Sequence, residues 1–521
     1  MKQEMIEQLI RDDASVRDDG SSEVGFRLKL EGGGVAQPGR GDIFYGGGWH
    51  APFASGYDSI TSPATGQKLA DVASCSRDDV EAAIVAARHG FQVWRDVAPA
   101  ERARILRQIA NVIRVHADEF SMIDALDGGN PVREMARDAA FAADTFDFFA
   151  GLVTEMKGDS IPMGRDDINF TLREPLGVVA RIVAFNHPFM FLASKAAAPL
   201  AAGNAVIMKP PVQAPLSALR FAQLVGHLLP DGVLGVLPGG QEVGEVLSTD
   251  ARVDAVTLIG SVSTGRKVMK AAAATLKPVL LELGGKNALI AYSDVDPAEV
   301  AAAVVAGMNF TWCGQSCGST SRAFLHADIH DAVIAHVKDL VTRFVPGIPT
   351  DPATTMGAII SKAQHESILR YIEIGRSEGA RLICGGRVPS SPELANGNFI
   401  EPTVFAGVTP KMRIASEEIF GPVLSILKWN DPENMLRDVN GVEYGLTCSI
   451  WTNDLETAHR TAQRVEAGYV WINDTSKHFL GAPFGGFKQS GIGREECLSE
   501  LLAFTREKNI HITLRRRGIW S

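Results

Sequence analysis

The chain has 521 residues, 45% of them hydrophobic and 21% charged, with a formal net charge of −10; that is the make-up of an ordinary soluble protein of several domains, and it excludes a general nucleic-acid binder. Its six cysteines are sparse, which argues against a disulfide framework, and Cys313 and Cys317 lack the second Cys/His pair that a zinc site needs, so no metal is expected. The opening MKQEMIEQLIRDD is acidic and the apolar stretch 196–208 is short and interrupted by Pro199, Gly203 and Asn204, so neither a secretory signal nor a membrane span is read and a cytoplasmic location is expected.

Residues 1–41 read as an extension. A short amphipathic helix carrying Met5, Ile6, Leu9 and Ile10 precedes the Gly-rich stretches 31–34 and 37–41; either a weakly ordered tail or an arm that clamps a partner fits that composition. A strand at 43–45 and a turn at 62–66 follow, then a helix opening at Ser76 as N-cap. Apolar residues recur at helical spacing over 78–90, 99–116 and 133–152. Period-two alternation at 168–174 and again at 510–514 predicts half-exposed strands that pair with each other or with another subunit. Between 177 and 291 short apolar strands alternate with helices, and a second such rhythm runs from 304 to 486. The fold class is therefore α/β, with a parallel, doubly wound sheet.

Four stretches carry the chemistry. Cys317 sits among small residues in Gly314-Gln315-Ser316-Cys317-Gly318-Ser319, which lets a planar electrophile approach, although a lone thiol in such company is more often packed and inert. Glu282 lies in apolar company before Leu283-Gly284-Gly285-Lys286-Asn287; a general base with a raised pKa competes there with a helix cap or a buried ion pair to Lys286. Asn186 falls at the carboxyl end of a predicted strand, where its amide can donate to an oxyanion or simply form a turn before Pro188. His187 is read as structural. The stretch Gly260, Ser261, Val262, Ser263, Thr264, Gly265 follows a strand and opens a helix, which suits a phosphate cradle about as well as an ordinary turn.

Taken in order, Asn186, Lys209-Pro210, residues 260–265, 282–286 and 314–317, Glu418-Ile419-Phe420-Gly421-Pro422 and residues 483–491 resemble the aldehyde dehydrogenase superfamily, from about Ile43 to the C-terminus. The resemblance implies a Rossmann-type coenzyme domain (42–152 and 176–282), an α/β catalytic domain (283–490) and a β-ribbon oligomerisation element (153–175 and 491–521) of a homodimer or homotetramer. It also implies that Cys317 attacks a small-molecule aldehyde, that Asn186 and the Cys317 N–H hold the oxyanion, and that Glu282 drives hydrolysis of the thioester, with Glu495 as a second acid in proton relay. NAD is the implied coenzyme, with Lys209 and Glu418 on ribose hydroxyls, Phe420 beside the nicotinamide, 260–265 at the pyrophosphate, and Phe185 and Leu283 as further contacts. Val212 stands where NAD-preferring members often carry Glu, which leaves room for NADP.

Alignment to the family suggests a substrate pocket of Phe191, Ser194, Trp312, Ser316, His478, Phe479 and Phe484. Ser194 in place of a large aromatic would widen the channel, and an aromatic or bulky apolar aldehyde is expected. Lys477 and His478 recognising a carboxylate would instead make the substrate a semialdehyde. Two rivals from other classes are a coenzyme-independent thiol esterase and a catalytically silent scaffold.

Overall fold

The computed structural model describes residues 24–31, 35–54 and 56–514. Its first large sheet has the spatial order Gly491–Ile492, Val279–Glu282, Ala255–Ile259, Val178–Ile182, Ala205–Lys209, Leu234–Val236, Ile43–Tyr45, Gly48–His50. The central strands, from Val279–Glu282 to Leu234–Val236, run parallel. Alternate residues feed opposite faces: Val179 and Val206 join one apolar cluster, Val178, Ala180 and Ile207 the other. Burial on both faces is why these strands read as apolar runs interrupted only by Arg181, Lys209, Thr257 and Glu282. The chain winds outward in both directions from Val178–Ile182, so a topological switch point lies between that strand and Ala255–Ile259, and ligands collect at the carboxyl ends there.

The second sheet has the order Arg381–Cys384, Thr403–Ala406, Val423–Trp429, Arg322–His326, Ala288–Ala291, Thr447–Trp451, Tyr469–Ile472, parallel except at the first strand. A separate three-stranded ribbon pairs Thr505–Thr513 with Asp167–Pro175 along their whole length, and Ser160–Pro162 adds to the other edge. The two alternating segments thus pair with each other. Helix Arg77–Trp94 opens on Ser76 with a reciprocal capping box to Asp79.

Two expectations are corrected. Residues 26–31 and 35–41 are not a loose extension: Phe26–Glu31 and Val35–Gly41 pair and join a four-stranded sheet with Tyr57–Thr61 and Lys68–Ala73. Phe26, Leu28 and Leu30 alternate onto the helical core, and Gly39 lets the strands close, since a Cβ there would lie 1.9 Å from the Arg27 carbonyl oxygen. Gly39 and Gly41 thus serve close approach, the latter against the Leu219 side chain. The helix expected around Met5 lies outside the described residues. The second correction is an added helix, Ala117–Asp127, which carries buried residues all round and so shows no clear stripe.

Asn204 ties the ribbon to the first sheet. It is fully buried; its Oδ1 accepts from the Gly177 N–H at 2.9 Å, and its Nδ2 donates to the carbonyls of Pro199 at 3.1 Å and Phe504 at 3.0 Å. Asn204→Ala leaves the Gly177 N–H buried and unpaired, while the Pro199 and Phe504 carbonyls keep the backbone N–H groups of Asn204 and Leu176, a cost of roughly 1–3 kcal/mol. A lowered midpoint in urea denaturation is the expected reading; an unchanged midpoint would remove Asn204 from this role.

Candidate active site

The two large sheets meet at a five-residue linker, 283–287, between Val279–Glu282 and Ala288–Ala291. Its glycines are dictated by what crosses it. A Cβ on Gly284 would fall 2.0 Å from Glu418 Oε2, and one on Gly285 would fall 2.6 Å from the Cys317 carbonyl oxygen. The Gly285 N–H donates to Glu418 Oε1 at 2.9 Å. Asn287 completes the strap: its Nδ2 donates to the carbonyls of Cys317 at 2.6 Å and Ser319 at 3.0 Å, and its Oδ1 accepts from the Thr447 N–H at 3.0 Å. One buried amide therefore pins the Cys317 loop to both neighbouring strands.

Cys317 opens onto a cavity of about 430 Å³. Of the pocket residues expected from sequence, Phe191, Trp312, Ser316, His478 and Phe484 stand in its walls. Ser194 and Phe479 do not. The Ser194 hydroxyl donates to the Met190 carbonyl one turn back and is buried inside helix Pro188–Ala202, while Phe479 is 56% exposed on the surface. Lys477 is likewise absent from the walls, paired with Asp474 at 2.9 Å.

The walls also contain His187, read from the sequence as structural. It precedes Pro188 at the start of the helix, and Asp138 holds its ring by Nδ1 at 2.7 Å. Asp138 and Phe141, on helix Val132–Gly151, and Glu496 are further wall residues that sequence reasoning missed. A signal for Asp138 existed, because an acid falls on the buried stripe with Met135, Ala139 and Ala142.

The family model for aldehyde dehydrogenases matches residues 53–510. This chain belongs to the aldehyde dehydrogenase family. The aldehyde dehydrogenase tropH of Talaromyces stipitatus is 49% identical over 480 residues, covering 91% of this chain and 93% of that protein. A betaine aldehyde dehydrogenase of Mesorhizobium japonicum is 41% identical, covering 87% of this chain and 93% of its own length. Among solved structures, a mutant indole-3-acetaldehyde dehydrogenase of P. syringae in complex with NAD+ and IAA superposes with a TM-score of 0.89 at 35% identity, covering 94% of this chain and 98% of that one.

Within the dehydrogenase the acids and the thiol are electrostatically linked. Burial first, then the charges of Glu282 and Glu418, push the Cys317 thiol up to about 12. Glu282 is buried, and among the described residues neither of its oxygens has a hydrogen-bond partner, so it is not ion-paired with Lys286. Burial and the neighbouring Glu495 charge raise its carboxyl well above the ordinary range. Glu495 itself is committed, with Oε1 3.0 Å from Arg181 and Oε2 2.8 Å from Lys195, all buried; Arg181 also meets Glu500 at 3.2 Å.

Asn186 lies in the loop between Val178–Ile182 and Pro188–Ala202, buried, with its carbonyl accepting from Asn130 Nδ2 at 2.9 Å. On the far side of the linker, the Gly260 N–H donates to the Glu282 carbonyl at 3.0 Å. Ser261 caps helix Val262–Ala272, with its Oγ 3.0 Å from the hydroxyls of Ser263 and Thr264. Gly265 lets that helix seat on Leu283, whose Cδ1 a Cβ would meet at 2.7 Å. The Phe185 and Phe420 rings cross edge-on at 5.7 Å. Lys209 is buried with one hydrogen bond, to the Pro210 carbonyl at 3.0 Å, and burial pulls its ammonium down to about 8. Glu418 is pushed up to about 7 by burial. Val212 is 41% exposed.

A thiol raised this far is protonated at neutral pH, so its thiolate fraction grows about tenfold per pH unit below the raised value. Iodoacetamide labelling of Cys317 in the free enzyme should therefore accelerate steadily from pH 7 to pH 10 with no plateau, read by peptide mass spectrometry. A plateau near pH 7 would mean that the resting residue is already a thiolate.

Proposed function

We propose that this chain oxidises an aldehyde to its carboxylic acid with NAD+, through a thioester on Cys317 that Glu282 hydrolyses. The observation that carries the reading is the buried, unpartnered Glu282 carboxyl at the seam of the two sheets, within electrostatic reach of a thiol that opens on a cavity.

The residues on the coenzyme side fit a dinucleotide. The Ser261-capped helix offers its N-terminus to a pyrophosphate. Lys209 has donors left over after its single bond, and Glu418 keeps an oxygen beyond its bond to Gly285, so the two suit ribose hydroxyls. When bound, NAD supplies the acceptor for the hydride that leaves the aldehyde carbon. Val212 places no acid against a 2′-phosphate, so NADP is expected to be accepted as well.

Cys317, once deprotonated, forms the S–C bond while the carbonyl π electrons move to oxygen. The Asn186 amide and the Cys317 N–H donate to that oxyanion. Collapse of the oxyanion with loss of hydride leaves the thioester. Glu282 then takes a proton from water, the hydroxide adds to the thioester carbon, the C–S bond breaks and the acid departs. A raised pKa makes the Glu282 carboxylate a stronger base, and activity should rise with pH as it ionises. Glu495, locked between Lys195 and Arg181, acts on Glu282 through its charge.

Aromatic walls at Phe141, Phe191, Trp312, Trp471 and Phe484 favour an aromatic or bulky apolar aldehyde. A semialdehyde is disfavoured, because Lys477 is held by Asp474, the wall cation Arg137 is paired with Glu134 at 2.8 Å, and a substrate carboxylate would also face Asp138 and Glu496. A coenzyme-free esterase would leave Lys209 and Glu418 without a purpose.

Glu282→Gln should still acylate, giving a burst of about one reduced coenzyme per site and then a steady state roughly 10²–10⁴-fold slower. Cys317→Ala should give neither phase. A slow phase without a burst in Glu282→Gln would move the general-base role to attack by Cys317. For assembly, the ribbon exposes Ile168 and Ile512 as a cross-strand pair, with Leu172 nearby, and we assign it to subunit contact in a homodimer or homotetramer. Ile168→Arg with Ile512→Arg should lower the mass by light scattering while circular dichroism stays unchanged; an unaltered mass would remove the ribbon from the interface.

A further inference from the structure

Two imidazoles stand in the cavity walls without a part in the chemistry above. His187 is tied through Nδ1 to Asp138 Oδ2 at 2.7 Å, and His478 through Nδ1 to Glu496 Oε2 at 3.2 Å. Both carboxylates are buried, their side chains 7% and 8% exposed. Glu496 is further fixed by its own N–H, which donates to Glu500 Oε2 at 2.7 Å. An ionised carboxylate only accepts, so each Nδ1 carries the hydrogen and each ring presents Nε2 as its second polar atom. Among the described residues no hydrogen bond occupies either Nε2, and neither atom is sealed from solvent. The rings lie against aromatic neighbours: His187 is 5.5 Å from Trp312 and 5.3 Å from Phe191, and His478 is 4.5 Å from Phe484.

A purely apolar ligand in this space would strip water from two ring nitrogens and offer nothing in return, an expensive burial. A quaternary ammonium has no hydrogen-bonding atom for them either. A phenolic hydroxyl suits both protonation states of an imidazole, donating to a bare Nε2 and accepting from a protonated one. We propose that the substrate is an aromatic aldehyde bearing ring hydroxyls, which His187 and His478 recognise through Nε2. The proposal rests on the dehydrogenase reading and narrows its substrate class. His187 and His478 are then the specificity-determining residues, and Asp138 and Glu496 position them.

The test is steady-state coenzyme reduction with benzaldehyde, mono- and dihydroxybenzaldehydes, carboxybenzaldehyde and betaine aldehyde, for the wild type, His187→Phe, His478→Phe and Asp138→Asn. The expected result is a wild-type kcat/KM higher for a hydroxylated ring than for benzaldehyde by roughly tenfold to hundredfold. Each histidine substitution should shrink that ratio, chiefly through KM, and Asp138→Asn should do so by freeing the His187 tautomer. Calorimetric binding of hydroxybenzoate against benzoate to the wild type reads the same preference if a variant fails to fold. Equal turnover of hydroxylated and plain rings overturns the proposal, as does a preference for carboxybenzaldehyde or betaine aldehyde, or a hydroxyl preference that survives both histidine substitutions. Those outcomes leave the dehydrogenase standing; no Cys317-dependent reduction with any aldehyde overturns both.

Discussion

The strap at 283–287 is the constraint on which the site depends. It carries the chain from the last strand of one parallel sheet to the first strand of the other, so any slack in it would move Glu282 relative to Cys317. Two glycines and one asparagine remove the slack. Gly284 and Gly285 allow Glu418 and the Cys317 loop to press onto the linker backbone, and Asn287 spends its amide on three backbone groups from two other segments. Positioning of this kind is built from backbone and buried amide groups because they carry few degrees of freedom to lose.

The electrostatics follow from that geometry. Closing two sheets on a thiol and a carboxyl removes water from both, and desolvation raises both groups. A second buried acid, Glu495, would be intolerable beside Glu282 were it not held by Lys195 and Arg181. The cluster therefore separates two carboxyls by environment: one fully paired and committed, one unpaired and available. Phe484 joins this cluster to the cavity, since its N–H and carbonyl pair with those of Glu495 at 3.0 and 2.8 Å. The acid cluster and the cavity wall are thus joined through the backbone.

The cavity is largely aromatic, with polar groups at the two carboxylate-held histidines and at Arg137, Asn309 and Ser476. Such an arrangement discriminates more sharply than an apolar slot, because an unmet polar group penalises the wrong ligand while a missing methylene does not. The ribbon stands apart from these concerns. Its two long strands are paired at every residue yet keep Ile168, Leu172 and Ile512 exposed, an apolar surface that a second subunit can cover.

Much of this protein is written locally. The apolar runs at 178–182, 205–209 and 255–259 dictate buried parallel strands, Ser76 and Asp79 form their capping box from neighbouring positions, and the ordered motifs around Asn186, Glu282 and Cys317 mark the family. Short-range patterns of this kind survive in one dimension because their partners are a few residues apart. What the chain order could not reveal is every contact between distant segments. The glycines near residue 39 look like slack until the strand beside them is known. His187 looks incidental until Asp138, on another helix, holds its ring in the cavity wall. Ser194 looks like an open channel until its hydroxyl turns to Met190, and Glu495 looks like a proton-relay acid until Lys195 and Arg181 claim it. Sequence determined the strands, the caps and the candidate reactive side chains; tertiary structure decided which polar groups were left unpaired, because pairing depends on distances between segments that only folding brings together.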